Sequence, residues 1–450
     1  MSLSGAERRA AGLAAVIGNA LEWFDFAVYG YVATPLGAAF FPAEDRALQA
    51  IAAFGVFAVG YLMRPVGSLL LGPIGDLLGR RLMLSLSILL MGASSLAIGL
   101  LPTHAQWGAA AGLVLVLLRM LQGLSLGGEF TGSMTYATEA ARRDQRGLLS
   151  SLAPAGGMVG FSLGAATVAL LAIGLGPQAM AAWGWRVPFL IGSLVAVLGL
   201  VLRRGMPETL SAEISAAAPR RPAAVATAVA AQLRELAHQW RLVVRIGALV
   251  AFANVVFYVM FVYFVDYNGS PASTASSGVL RATTATSGGL SATTVTTVLQ
   301  TLGVPLVILG GGLADRLGRV RANRLGNLAL ALVTPLAVAL AQRGGVMGLA
   351  GGQMLVLLPV MATIGAQGVL AVELVPPRQR CTVFSLAYSL SMALFAGSSP
   401  LVCSWLLQEQ GWTWAPALYC SLFAIPALAA LRGLGSRPDG GHDAGVTAAA

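Results

Sequence analysis

Apolar runs long enough to cross a bilayer follow one another along this chain, and they leave few folds open to it. A helical span needs about 20 mostly apolar residues, because only a helix or a closed barrel satisfies its own backbone inside hydrocarbon. Six runs lie near residues 11–40, 49–72, 82–101, 108–138, 148–172 and 186–203. Six more lie near 242–266, 292–313, 322–342, 346–373, 381–407 and 413–432. The organisation expected is an N-terminal six-helix unit (1–203), a polar central loop (204–241), a C-terminal six-helix unit (242–432) and a short tail (433–450). Only 10% of the residues are charged, against about 25% in soluble domains. The first run is too long for the core of a cleavable leader and carries two acids, so no leader is expected.

All 28 basic residues are arginine. Arg8, Arg9, Arg80, Arg81, Arg142, Arg143, Arg146, Arg316, Arg319, Arg321, Arg324, Arg378, Arg380, Arg432, Arg437 and the arginines of the central loop fall on one side of the spans. Arg46, Arg186, Arg281 and Arg343 fall on the other. By the positive-inside rule both termini and the central loop are cytoplasmic, and the Ser/Thr/Gly-rich stretch 268–294 is an outside loop. Membrane topology therefore accounts for the net charge of +10, and no nucleic-acid partner is expected.

An ionisable residue inside a span costs at least ~2.5–3.5 kcal/mol on insertion scales and is a functional candidate by default. The first run holds two, Glu22 and Asp25, on one helical face with Asn19 and Tyr29. The fourth holds Arg119, Gln122, Glu129, Ser133 and Tyr136 within about a third of the helix circumference. Arg119 and Glu129 are ten residues apart, about 15 Å along the axis, so they need not pair with each other. Arg64, beside Pro65, lies deep in the second run. It is expected to touch solute, or else backbone carbonyls or an acid of the first helix.

The two halves repeat each other. GPIGDLLGRR (72–81) follows the second run and GGLADRLGR (311–319) the eighth, each with an acid followed by Gly-Arg in a tight turn. Glu139 precedes Arg146 by seven residues, and Glu373 precedes Arg380 by seven. The offsets between Asp76 and Asp315, 239, and between Glu139 and Glu373, 234, nearly agree. A repeat of six-span halves is the mark of a secondary transporter built from two related bundles.

These residues resemble the major facilitator superfamily, whose loop signature recurs after the second and eighth spans. The chain resembles more narrowly the metabolite:proton symporter family of proline/betaine, citrate, α-ketoglutarate and shikimate permeases. The matching stretches are GNALEWFDFAVYG (18–30), FAVGYLMRPVGSLLLGPIGDLLGRR (57–81), RMLQGLSLGGEFTGS (119–133), WGWRVPF (183–189) and RCTVFSLAYSLSMALFAGSSPL (380–401). It departs from the pattern at Leu77, Ser389 and Ala396, where the family usually has Arg, Asn and Gly. The resemblance implies an all-α integral membrane fold of twelve transmembrane helices in two pseudo-symmetric six-helix bundles, located in the bacterial inner membrane.

It also implies that the first and fourth helices line a central cavity. Arg119 is then the expected anchor for a substrate carboxylate, since a guanidinium binds one bidentately. Gln122, Asn19, Tyr29, Arg64 and Tyr388 are further candidate contacts, and Asn254, Tyr258 and Tyr263 add polar groups from the second half. Asp25, with Glu22 as its rival and Glu129 as a third candidate, is expected to carry a coupling proton. Asp76, Arg80, Asp315, Arg319, Glu139, Arg146, Glu373 and Arg380 are expected to form the cytoplasmic gate. Gly156, Gly160 and Gly164 permit close helix packing.

The stretch with these glycines lacks the fifth-span pattern of drug/proton antiporters, which disfavours a multidrug exporter. Cys381, Cys403 and Cys420 are isolated in apolar runs, and no His/Cys set has metal spacing. No phosphate-binding Gly-Lys-Ser/Thr and no Ser/His pair in one apolar neighbourhood occurs, so the chain is not read as an enzyme. No cofactor is expected, and a proton gradient supplies the energy. The function expected is proton-coupled symport of a small carboxylate-bearing metabolite, an organic acid or a zwitterion, by a monomer. The alternatives are an exporter or antiporter of the same fold, or a sensor that binds without transporting. The tail 433–450 has no heptads, so osmotic gating through a coiled coil is not expected.

Overall fold

A computed structural model describes residues 5–41, 46–210, 214, 222–269, 292–343, 345–408 and 411–434. Most of the expected outside loop, including Arg281, and the tail from residue 435 lie outside the described residues.

Each apolar run folds as helix, the conformation that satisfies its backbone without water. In the first half these are α1 (Gly5–Tyr31), α2 (Ala33–Phe40), α3 (Arg46–Leu78), α4 (Arg80–Leu100), α5 (Ala109–Ala140), α6 (Leu152–Ala179) and α7 (Arg186–Arg204). The first run is thus two helices that meet at Val32. A central helix, α8 (Pro222–His238), follows within the segment expected as loop. The second half contains α9 (Trp240–Tyr258), α10 (Ala292–Leu317), α11 (Arg319–Arg343), α12 (Gly345–Leu374), α13 (Arg380–Ser391), α14 (Ser399–Gln408), α15 (Ala415–Leu422) and α16 (Ala424–Ala430). Wide π-helical turns, Val259–Tyr263 and Met392–Ala396, extend α9 and α13.

Nine helical segments among the described residues are long and apolar enough to cross a membrane. The helices α1, α3 and the pair α15–α16 complete two bundles of six. In the first, α1 packs on α6, α3 on α5, and α4 on both α5 and α7. In the second, α12 packs on α10 and α11, and α9 on α13 and α16. The bundles meet where α13 lies against α3 and α5, and where α10 lies against α6.

Side-chain distribution is inverted relative to a soluble protein. Leu332 and Ile173 are each 82% exposed, whereas Asn19, Arg80 and Gln353 are fully buried. Exposed leucine against buried charge is what a lipid solvent selects. The turns of the repeat follow from glycine. Gly79 joins α3 to α4 at φ 118° and Gly318 joins α10 to α11 at φ 88°, backbone that residues with a Cβ rarely adopt. Gly160 brings α6 onto the helix that carries both acids: a Cβ there would lie 2.0 Å from the Ala20 carbonyl oxygen.

Candidate functional site

Ionisable residues form three layers down the first bundle. α1 enters from the arginine-rich end and α5 runs back toward it, so rising numbers on α1 and falling numbers on α5 lead to the far end.

In the far layer, Arg119 Nη1 donates to Gln122 Oε1 at 2.6 Å. Gln122 Nε2 donates to Ser95 Oγ at 2.9 Å and to Asp25 Oδ2 at 3.5 Å. Ser95 Oγ in turn donates to Asp25. The Arg119 guanidinium lies 4.1 Å from the Tyr29 ring centroid. Asp25 and Arg119, both at most 2% exposed, therefore communicate through Gln122 and Ser95.

One helical turn nearer the arginine-rich end, Glu22 faces Arg64, with Nη2 3.6 Å from Oε1. Neither carboxylate oxygen of Glu22 accepts a hydrogen bond, and Arg64 Nε and Nη2 donate none. Three rings surround this guanidinium: Tyr61 at 4.7 Å, and Trp23 and Phe26 at 5.8 Å each. Such faces attract a cation, by about 2 kcal/mol or more when desolvated. Asn19 Nδ2 donates to Ala15 O at 2.8 Å and Ser133 Oγ at 2.6 Å, tying α1 to α5.

In the third layer Glu129 pairs with Arg203, a residue of α7 that also donates to the Leu84 carbonyl. Gly18 lets α1 pass this pair, since a Cβ there would fall 2.3 Å from Glu129 Oε1.

The stripe on α5 thus turns inward. Gln122 meets α4, Ser133 meets α1, Glu129 meets α7, and Tyr136 OH donates to Pro207 O at 2.9 Å. Helical spacing shows which residues share a face and is silent on what covers it. The contacts between bundles come from other side chains. Tyr61 and Tyr258 share a hydrogen bond of 2.7 Å, Ser68 and Ser389 one of 2.8 Å, and Thr131 and Ser385 one of 2.5 Å. Tyr388 stacks at a tilt on Phe130, centroids 4.9 Å apart, and donates to Asn254 Oδ1 at 3.4 Å. Arg64 lies beside this interface, and Arg119 lies behind it. Tyr263 is buried in the second bundle against Phe264, centroids 5.0 Å apart.

At the arginine-rich end the two repeat loops exchange caps. Asp76 accepts from the backbone N–H groups of Cys381 and Thr382 at 2.9 and 2.8 Å, the first turn of α13 in the other bundle. Asp315 accepts from Gly147 and Leu148, both at 2.8 Å, in the short helix Arg146–Ser150 of the first bundle. Each acid satisfies orphan N–H groups of a helix start and holds a negative charge at the positive end of its dipole. Each also pairs with the arginine four residues on, Arg80 at 2.7 Å and Arg319 at 2.8 Å. Glu139 joins Arg80 to Arg380 across the bundles, and Glu373 joins Arg319 to Arg146. All eight residues of the repeat signature therefore come together between the bundles, around a cavity of about 250 Å³ lined by five of them.

Four participants have no signal in the sequence as read above. Arg203 ends an apolar run beside Arg204 and looks like a topology residue, yet it is 1% exposed. Ser95 and Tyr61 are ordinary span residues. Gln232, on α8, donates to Asp76 Oδ2 and Thr382 Oγ1, each at 3.0 Å, so the central segment reaches into this cluster.

The comparisons agree with this architecture. Residues 15–370 match the family model of the Major Facilitator Superfamily. A glycine betaine/proline/ectoine/pipecolic acid transporter, OusA of Dickeya dadantii, is 33% identical over 426 residues, 93% of this chain and 82% of its own. The proline/betaine transporter of Salmonella typhimurium is 33% identical over 428 residues, with the same coverage. Among solved structures, the proton:xylose symporter XylE bound to 6-bromo-6-deoxy-D-glucose superposes with a TM-score of 0.66 over 95% of both chains, at 16% identity, a likeness of fold. This chain is a multi-pass membrane transporter and belongs to the major facilitator superfamily.

Proposed function

We propose that this transporter carries a small zwitterionic carboxylate, of the class of proline and glycine betaine, together with a proton. The observation that carries the reading is Arg64: a buried guanidinium beside the bundle interface, with two donor nitrogens unused and one buried acid opposite. A solute carboxylate fits those donors as a bidentate pair. The aromatic faces of Trp23, Phe130 and Tyr388 nearby suit its cationic end. The anchor in this reading is Arg64, while Arg119 sets the surroundings of Asp25.

Coupling follows from competition. A carboxylate that takes Arg64 removes the counter-charge of Glu22, and a buried carboxylate without a partner binds a proton instead. Release of the solute reverses both events. Glu22, neither of whose oxygens accepts a hydrogen bond, is therefore favoured over Asp25, whose Oδ2 accepts from Ser95 and Gln122 away from the interface. The names of the relatives support the zwitterion class. A solute held at a hundred times its Kd adds about 2.7 kcal/mol of stability. Glycine betaine or proline is thus expected to raise the melting temperature of the purified protein and citrate to leave it unchanged. A rise with citrate alone would overturn the assignment.

The arginine-rich end is read as cytoplasmic in a bacterial inner membrane, with the transporter acting as a monomer. The exchanged caps then act as the inner gate, closed in this conformation. A helix cap contributes about 0.5–2 kcal/mol, and one to two kcal/mol shifts a two-state equilibrium about 5- to 30-fold. Cys381 reports on the gate because it is fully buried directly behind Asp76. Asp76→Ala is expected to speed alkylation of Cys381 by N-ethylmaleimide at least about fivefold, with buried Cys403 and Cys420 unchanged. Equal Cys381 rates in both proteins would show that the cap does not hold the gate.

A further inference from the structure

The cavity of about 250 Å³ at the arginine-rich end has room for several waters, each of which takes about 30 Å³ in the liquid. Its charged walls are Arg80, Arg146 and Arg380 against Glu139 and Glu373, three positive charges to two negative. Arg80 is saturated: its nitrogens donate to Gly75 O, Asp76, Glu139 and Pro377 O. The other two arginines are not. Arg146 donates from Nη1 to Glu373 at 3.3 Å, its Nε is buried without a partner, and its Nη2 makes no hydrogen bond among the described residues. Arg380 donates from Nε to Val375 O at 3.3 Å and from Nη1 to Glu139 at 3.2 Å, and its Nη2 likewise makes none. Two guanidinium groups from opposite bundles therefore border one polar space with donors unused. We propose that this cavity binds a small oxyanion of the phosphate class between Arg146 and Arg380, and that the bound ion holds the two bundles together at this end.

A guanidinium recognises an oxyanion through paired N–H donors, and such charge-assisted bonds are short, about 2.7–2.9 Å. The carboxylates now on Arg146 and Arg380 lie beyond that range, and each is shared with a second arginine: Glu373 with Arg319, and Glu139 with Arg80. A tetrahedral ion offers oxygens to both forks at once and offsets the excess positive charge of the walls. The aqueous phase and a phospholipid headgroup can each supply that chemistry. Thr209, Leu210 and Ile214 of the central segment form a further wall, and Thr209 Oγ1 donates to Glu139 at 2.9 Å. Arg146 belongs to the first bundle and Arg380 to the second, so parting the bundles here takes the site apart. The consequence for transport rests on the reading of this end as the inner gate. An ion at ten times its Kd for the closed form, and with no affinity for the open one, lowers the open population about elevenfold.

The test uses the purified full chain and inorganic phosphate, with chloride as the matched salt. Isothermal titration is expected to show saturable binding, weakened at least about tenfold in Arg146→Gln and in Arg380→Gln. Arg142→Gln removes an exposed arginine of the same end, and is expected to stay within about twofold of the parent. No saturable binding in the parent, or an equal loss in Arg142→Gln, would overturn the site. Should the glutamine variants not fold, Arg146→Lys decides: it keeps the charge without the fork and is expected to bind at least about threefold more weakly, and parental affinity there overturns the site. Alkylation of Cys381 by N-ethylmaleimide reads the hold on the bundles. In phosphatidylcholine vesicles, phosphate on both sides at ten times its Kd is expected to slow it at least about fivefold. Slowing that appears only with phosphatidylglycerol in the vesicle supports a headgroup as the bound oxyanion, and slowing by neither overturns the proposal. Asp76→Ala separates the two claims. If it leaves Cys381 labelling unchanged, the gate reading falls and takes the holding role with it. If it speeds labelling while neither phosphate source slows it, only the oxyanion proposal falls.

Discussion

Glu22→Gln is expected to abolish concentrative uptake and to leave exchange intact. A pH gradient of one unit supplies about 1.4 kcal/mol per proton, enough for about tenfold accumulation of a co-transported neutral solute. Glutamine keeps the size of Glu22 and removes its proton. Arg64 in this variant has lost its only acid partner within ion-pair distance among the described residues, so the solute carboxylate no longer competes for it. Counterflow of labelled glycine betaine is therefore expected to persist with unchanged or higher affinity. The accumulation ratio under the gradient is expected to fall to about one. Asp25→Asn is the contrast. It weakens contacts to Ser95 and Gln122 inside the first bundle, lowers stability, and is expected to keep at least part of the driven accumulation. Equal loss of coupling in both variants would move the proton role back to Asp25.

Arg64→Ala carries the second large effect. Hydrogen bonds to a charged group contribute about 1.5–3 kcal/mol each, so loss of the two-bond anchor is expected to weaken glycine betaine binding by at least about 100-fold. The change also leaves Glu22 without its ion-pair partner. Arg64→Lys restores the charge as a point and not as a fork, and is expected to recover only part of the affinity. Binding isotherms of the purified variants read both effects. Unchanged affinity in Arg64→Ala, with a large loss in Arg119→Ala, would return the anchor to Arg119.

Much of the fold was legible because lipid imposes simple rules. The apolar runs, the one-sided arginines and the twin Asp-to-Gly-Arg turns each have a single physical cause, and the family model and the XylE likeness agree with the fold they imply. The repeat recurs in the contacts between the bundles. Asp76 and Asp315 cap each other's bundles, an exchange that only packing shows. The central helix α8 was less legible, since it lies in a stretch expected as loop, and the reach of Gln232 to Asp76 comes from packing. For the site, the sequence picked out the ionisable residues and left their partners open. Periodicity grouped Arg119 with Glu129, but only packing shows that Gln122 and Ser95 serve the first and Arg203 the second. Arg203 resembled its exposed neighbour Arg204 because burial at a helix end depends on what crosses it. Tyr258 was a candidate polar group of the second half, but its partner Tyr61 was not singled out, and their hydrogen bond spans the two bundles.

The central claim is that solute and proton move together through the exchange of Arg64 between Glu22 and the solute carboxylate. The most direct measurement is proton movement evoked by solute alone, in proteoliposomes with no imposed gradient and a short-circuited membrane potential. Adding glycine betaine outside is predicted to draw protons inward in step with labelled solute in the parent protein. In Glu22→Gln the same solute flux is predicted with no proton movement. Solute entry without protons in the parent protein, or unchanged proton entry in Glu22→Gln, would contradict the account.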